Sequence, residues 1–214
     1  MCRNRMKTFR QPDSCFHLNA SQFARGSLEW FFLKASGYRR VHDRYVASRK
    51  RMVGDLANAR LLVGQRLTIL LHDQYYFNGE KCLGDIGSLS WRFGDNQAIS
   101  MYLLSDGESV GADLENPEPP VAFELDASST CSWRIENLLV GLCTPALEGK
   151  VITQVQGMLD KGWDQEVRLV AFKVTFETGD YLIYLNQGDD AVMLVNEAPQ
   201  SLAGIETTLV TSLG

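Results

Sequence analysis

Residues Leu62–Thr68 read LVGQRLT, and 85 positions later Leu147–Thr153 read LEGKVIT. Leu, Gly and Thr are identical in the two stretches, and each runs on as strand-like text, ILLHD at 69–73 and QVQGM at 154–158. The parallel resumes further along. LSWRFGDNQAISMYLLSDGES (Leu89–Ser109) lies over FKVTFETGDYLIYLNQGDDA (Phe172–Ala191). The offset is 83 at Phe93 and Phe176, 82 at Tyr102 and Tyr184, and 81 at Gly107 and Gly188. Single-residue slips of this kind belong in turns, and a self-similarity of fixed period is the mark of a duplicated unit. Each copy then reaches Asn and Pro, Asn116-Pro117 in one and Asn196 to Pro199 in the other.

Within each copy the apolar residues alternate. Leu89, Trp91 and Phe93 are separated by Ser90 and Arg92, and Phe172, Val174 and Phe176 by Lys173 and Thr175. A period of two is the signature of a strand with one buried face. Tyr181–Leu185 is apolar at every position, which predicts a strand covered on both faces. Gly94-Asp95-Asn96, Ser105-Asp106-Gly107, Thr178-Gly179-Asp180 and Gln187-Gly188-Asp189 suit tight hairpins, because Gly, Asn and Asp tolerate positive φ. Tyr75-Tyr76-Phe77 and Trp163 are expected in the corresponding loop of the two copies.

A helix is expected to open each copy. Ile135, Leu138, Leu139 and Leu142 fall on one helical face, ended by Pro145. Gly54–Leu62 is a weaker counterpart. Asn116-Pro-Glu-Pro-Pro120 reads as a stiff linker, with Val121–Leu125 and Ile205–Val210 as matching edge strands. The expected fold is α+β, mainly antiparallel β-sheet. It is built as two tandem copies of a small helix-plus-four-strand module whose sheets pack on each other. The expected organisation is a basic segment 1–51, a first β-rich repeat 54–116, a linker and edge strand 117–134, and a second repeat 135–214.

The net charge of −5 hides an asymmetry. Residues 1–51 carry 12 Lys/Arg and 3 Asp/Glu, a net +9, whereas 52–214 carry 9 and 23, a net −14. Three readings of the basic segment follow: translation beginning at Met52, a basic arm that touches nucleic acid, or an ordinary surface helix. Nucleic acid is expected only through residues 1–51. No run approaches the roughly 18 apolar residues that span a bilayer, and no apolar leader is visible, so no membrane role is expected. Five cysteines, an odd number without close pairing, fit reduced thiols and a cytoplasmic location.

Chemistry is sparse. Gly107-Glu-Ser-Val-Gly111 matches the G-x-S-x-G elbow, but the text after Ser109 is too rich in proline for the helix the elbow needs. Ser109 also aligns with Asp190, as expected for a turn and not for a nucleophile. His17, His42 and His72 form no metal-ligand pattern, no C-x-x-C exists, and no phosphate loop is visible. No catalytic residue, cofactor or metal is expected. The remaining candidates are the acidic turn residues Asp106, Glu108, Asp189 and Asp190, and the loop aromatic Trp163, an interface anchor by type.

An acidic body without a catalytic constellation suits capture of a basic protein, since acidic surfaces steer basic partners. A bacterial immunity-type protein is the most concrete form. The alternatives are a structural or assembly subunit of a phage or secretion particle, which predicts a homo-oligomer, and an enzyme whose site is scattered over residues such as His72, Asp73, Ser109 and Cys143.

Overall fold

The computed structural model describes residues 47–94, 97–115, 120–141, 146–188 and 190–213. All of them belong to the unit Ser36–Gly214. The basic segment up to residue 46 and Asp189 lie outside the described residues.

Helix α1 (Arg49–Arg60) opens the unit, with Ser48 as N-cap accepting a hydrogen bond from Arg51 N at 3.1 Å. It is followed by β1 (Ile69–Phe77), the two-residue β2 (Glu80–Lys81), β3 (Leu89–Phe93), β4 (Gln97–Leu103) and β5 (Val110–Asp113). Next come β6 (Phe123–Asp126), β7 (Ser129–Asn137) and the short helix α2 (Leu138–Gly141). The second half holds β8 (Ile152–Lys161), β9 (Val167–Phe176), β10 (Tyr181–Asn186), β11 (Ala191–Val195) and β12 (Glu206–Val210).

The strands form two antiparallel sheets, ordered β5-β4-β3-β1-β7-β6, with β2 beside β1, and β11-β10-β9-β8-β12. The mainly antiparallel, α+β character expected from the alternation is observed. Each sheet contains a four-strand meander, β1-β3-β4-β5 or β8-β9-β10-β11, with a further strand beside its first member.

One core lies between the sheets. Leu70, Trp91, Ile99 and Met101 from the first sheet join Val155, Phe172, Val174 and Leu182 from the second, and Leu56 of α1 joins them. Burying a side chain such as Phe172 or Leu70 stabilises the fold by roughly 1.5–3 kcal/mol. β10 is covered on both faces as its composition predicts. Leu182 and Tyr184 enter the main core, while Ile183 joins Met158 and Ala171 on the outer face.

The LVGQRLT and LEGKVIT stretches meet each other. Arg66 bridges antiparallel to Val151. Around this pair Gly64 N donates to Ile152 O at 2.8 Å and Gly149 N to Leu67 O at 2.7 Å. Leu67 N donates to Lys150 O at 3.1 Å and Ile152 N to Gln65 O at 2.9 Å. Gly64 and Gly149 both have positive φ, 85° and 76°.

Two sheet edges are each capped at one residue by a carboxylate, that of Asp55 buried and that of Asp85 half-buried. On β5, Asp55 Oδ1 accepts Ala112 N at 3.0 Å and Asn58 Nδ2 donates to Ala112 O at 2.9 Å. On β11, Asp85 Oδ1 accepts Ala191 N at 3.1 Å and Ile86 N donates to Ala191 O at 2.9 Å. In each case a loop or helix satisfies both backbone groups of one alanine, which blocks strand pairing at that residue.

Several expectations are corrected. Ile135 lies in β7, not in a helix, because the alternation Cys131, Trp133, Ile135 pairs with Phe77, Tyr75 and Asp73 of β1. Helix α2 starts only at Leu138, where Asn137 Oδ1 accepts Leu139 N at 3.1 Å. Tyr75-Tyr76-Phe77 ends β1 and is not a loop, because the chain turns at Asn78-Gly79, both at positive φ. Helix α1 reaches back to Arg49, so the end of the basic segment is part of the fold.

Candidate functional site

Arg168, near the start of β9, is the hub of the acidic surface. Its Nε lies 2.5 Å from Glu108 Oε2, and its Nη2 lies 2.7 Å from Asp164 Oδ2 and 2.8 Å from Glu166 Oε2. Glu108 comes from the β4–β5 turn of the first sheet, and Asp164 and Glu166 from the β8–β9 hairpin of the second. One cation therefore gathers three carboxylates from both sheets. Arg168 and then the Glu166 N–H hold the Asp164 carboxyl below its ordinary value.

The expected site residues take different parts in this arrangement. Glu108 stands in it directly. Asp106 caps its own turn, its Oδ1 accepting Glu108 N at 3.1 Å and Ser109 N at 2.9 Å. Trp163 lies in the β8–β9 hairpin, 83% exposed, beside Asp164. Its indole rests on Gly204, where an added Cβ would collide with Cζ2 and Cε2 of the ring. Asp190 is half-buried in the β10–β11 turn, its carbonyl accepting Gln187 N at 2.8 Å. That turn approaches the Asp106 turn through Asn186 Nδ2, which donates to Ser109 O at 3.4 Å. Asp189 is outside the described residues.

The Ser109 elbow is not built. Ser109 is buried and leads into β5, so no helix follows it to supply an oxyanion site. His72 and Asp73 are successive residues of one strand and point to opposite faces. His72 Nδ1 faces Ile86 O at 3.1 Å, and burial lowers its pKa. Asp73 lines a depression with Ser88, Ser90, Ser100 and Ile135, and burial pushes its pKa up to about 6 against a hydrogen bond from Ser88. Cys131 is a buried free thiol beside the Tyr75 hydroxyl. Among the described residues no group of three or more His, Cys, Asp or Glu is placed to hold a metal ion. No described helix is long and apolar enough to cross a membrane.

Sequence reasoning missed Arg168, Asp164 and Glu166. Their signal was the hairpin text Asp164-Gln-Glu-Val-Arg168, in which two acids closely precede one arginine. It also missed the network at the end of the basic segment. Arg51 Nε donates to both oxygens of Asp55 at 2.8 and 2.9 Å, and its Nη2 reaches Tyr102 Oη at 2.5 Å and Asp113 Oδ2 at 3.1 Å. Tyr102 in turn donates to Asp113.

Comparison of the chain with protein-family models, with curated proteins and with solved structures finds no match.

Proposed function

We propose that this chain is a non-catalytic acidic binding module that captures a basic protein partner. The observation that carries the reading is Trp163, 83% exposed in the same β8–β9 hairpin as Asp164 and Glu166, whose carboxylates share Arg168 with that of Glu108. An exposed indole is costly to leave in water and is the residue type most enriched among interface anchors. Clustered carboxylates raise the encounter rate with a cationic partner and fix its orientation. An immunity-type role, neutralising a cationic toxin, is one concrete form of this activity.

The same reading takes the body to be two tandem copies of one module. Its support is the pairing of the repeated stretches. Shifting each residue of the Gly64–Ile152 and Leu67–Lys150 hydrogen bonds to its partner 85 positions away gives the Gly149–Leu67 and Ile152–Gln65 bonds. Each half thus contributes the same backbone surface to the join, as an isologous interface does.

The test is a pull-down from source-cell lysate with the tagged full chain, washed at low and then high salt. The expected result is one basic protein held in stoichiometric amount, released by salt and lost from Trp163→Ala. Truncating a buried anchor costs about 2 kcal/mol or more, roughly a thirtyfold loss of affinity. Capture that is indifferent to both salt and Trp163 overturns the reading.

A further inference from the structure

We propose that the outer edge of β12 docks an extended, basic segment of the partner as an added strand; this rests on the basic-partner reading above and specifies how the capture is made.

The four sheet edges are not alike. β5 and β11 are closed at Ala112 and Ala191 by the Asp55 and Asp85 carboxylates and their companion donors. β6 is short, and its pairing with β7 is broken by an irregularity between Glu124 and Asp126. A bulge of that kind twists an edge away from pairing. β12 is different. Its five residues pair with β8 in unbroken register, from Glu206 opposite Lys161 to Val210 opposite Gly157. Glu206 to Leu209 are exposed, so neither face of the strand is covered. Among the described residues no strand lies on its other side. A regular edge strand offers alternating N–H and C=O groups to an incoming chain, the means by which peptides are recognised through strand addition.

Charge selects the occupant. Glu206 begins the strand, Asp160 is tied to it by Thr207 Oγ1 at 2.6 Å, and Asp164 and Glu166 stand in the adjoining hairpin. Against these four acids stand Lys161 and Arg168, the latter already shared among three carboxylates. A second copy pairing on β12 would bring two such acidic groups together, and like charges across paired strands are destabilising. A basic segment meets the opposite sign. Gly204 precedes β12 by two residues and seats the Trp163 indole, which leaves an aromatic surface where the added strand would end. A Lys or Arg side chain resting on an indole face gains a cation–π attraction. Leu209, 43% exposed, offers an apolar contact further along the strand.

The experiment uses the ¹⁵N-labelled full chain and two synthetic peptides of equal charge, (Lys-Val)₄ and (Lys-Pro-Pro)₄. The second places proline on both edges of its strand, so it lacks ladder donors whichever edge faces β12. Amide hydrogen exchange at Glu206–Val210 is followed by NMR. The expected result is at least tenfold slower exchange in β12 with (Lys-Val)₄ only, at least tenfold weaker binding of (Lys-Pro-Pro)₄, and a comparable loss with Trp163→Ala. Equal binding of both peptides without protection of β12 overturns strand addition while leaving the basic-partner reading standing. Binding of neither overturns both. Protection of β12 that rises with the chain's own concentration, without peptide, makes a second copy the occupant and overturns the proposal.

Discussion

Arg66 faces Val151 across an antiparallel bridge, and 85 residues separate them, the same interval that relates LVGQRLT to LEGKVIT. The pair sits at the centre of a local two-fold arrangement in which Gly64 and Gly149 play one role. Both glycines hold a positive φ and each donates its N–H across the join. Neither has an atom within 4 Å of where a Cβ would stand, so backbone strain is the only penalty for a side chain. Gly64→Ala and Gly149→Ala are each expected to cost about 1–2 kcal/mol, the price of a left-handed non-glycine residue. Urea denaturation of the two variants checks this. A clear cost at one glycine and none at the other would show that the equivalence stops at the sequence.

How far the fold could be read depends on which period prevailed in each stretch. Leu89–Phe93 and Phe172–Phe176 announced themselves because their polar partners face solvent or the sheet margin. β7 was hidden by its own end. Ile135 belongs both to the two-residue alternation with Cys131 and Trp133 and to the helical spacing with Leu138, Leu139 and Leu142, and local text does not rank the two. Pairing with β1, more than fifty residues earlier, decides it. Asn78-Gly79 marked the end of β1 plainly, yet three aromatics before it suggested a loop. At the site, Glu108 and Trp163 were legible as an exposed acid and an exposed aromatic. Their neighbourhood was not, since Arg168 joins residues sixty positions apart and only the packing of the two sheets sets that distance.

Arg51 should matter more than its place at the margin of the basic segment suggests. It is 17% exposed, while Asp55, its partner, is 1% exposed and also holds the Ala112 N–H that closes β5. Arg51→Met leaves the Asp55 carboxylate buried without its cation. The expected loss is about 3 kcal/mol, at the low end for breaking a buried pair because Arg51 keeps some solvent. Equilibrium unfolding in urea measures it. A change below 1 kcal/mol would mean that water replaces the guanidinium at no cost and that the packing of Leu56 and Ala59, with the Asp55 and Asn58 bonds to Ala112, holds α1 without it.

Stability should depend on pH through Asp73. Burial raises its pKa to about 6, above the value near 3.9 of an unfolded aspartate. Between those values the folded chain binds more protons than the unfolded one, so this group's stabilisation is complete below about pH 4 and is lost as pH rises through 6. Its full weight is no more than about 3 kcal/mol, and partial exposure reduces that. Asp85 and Asp55, also raised by burial, act with the same sign. His72 opposes them, since its lowered pKa makes stability rise as pH climbs toward 6.5. Asp73→Asn removes one contribution and keeps a partner for the Ser88 hydroxyl. The variant's stability should therefore fall less between pH 4 and 6 than that of the parent chain. Parallel curves for the two proteins would show that Asp73 titrates normally.

Arg168 separates a fold role from a binding role at the acidic surface. Its three ion pairs are exposed on the carboxylate side, Glu108 at 60%, Asp164 at 49% and Glu166 at 71%. Pairs of that exposure contribute roughly 0–1 kcal/mol each at most, so Arg168→Ala should change stability little. It also removes the one cation the three carboxylates share. A basic partner that docks there meets a more negative surface, and at low ionic strength the variant should associate several-fold faster than the parent. The gain should vanish by about 1 M salt, where the screening length is near 3 Å. Stopped-flow association over a salt series, read by intrinsic tryptophan fluorescence, makes the measurement. Slower association at low salt would mean that Arg168 touches the partner itself, and that the acids around it serve to position that arginine and not to attract a cation.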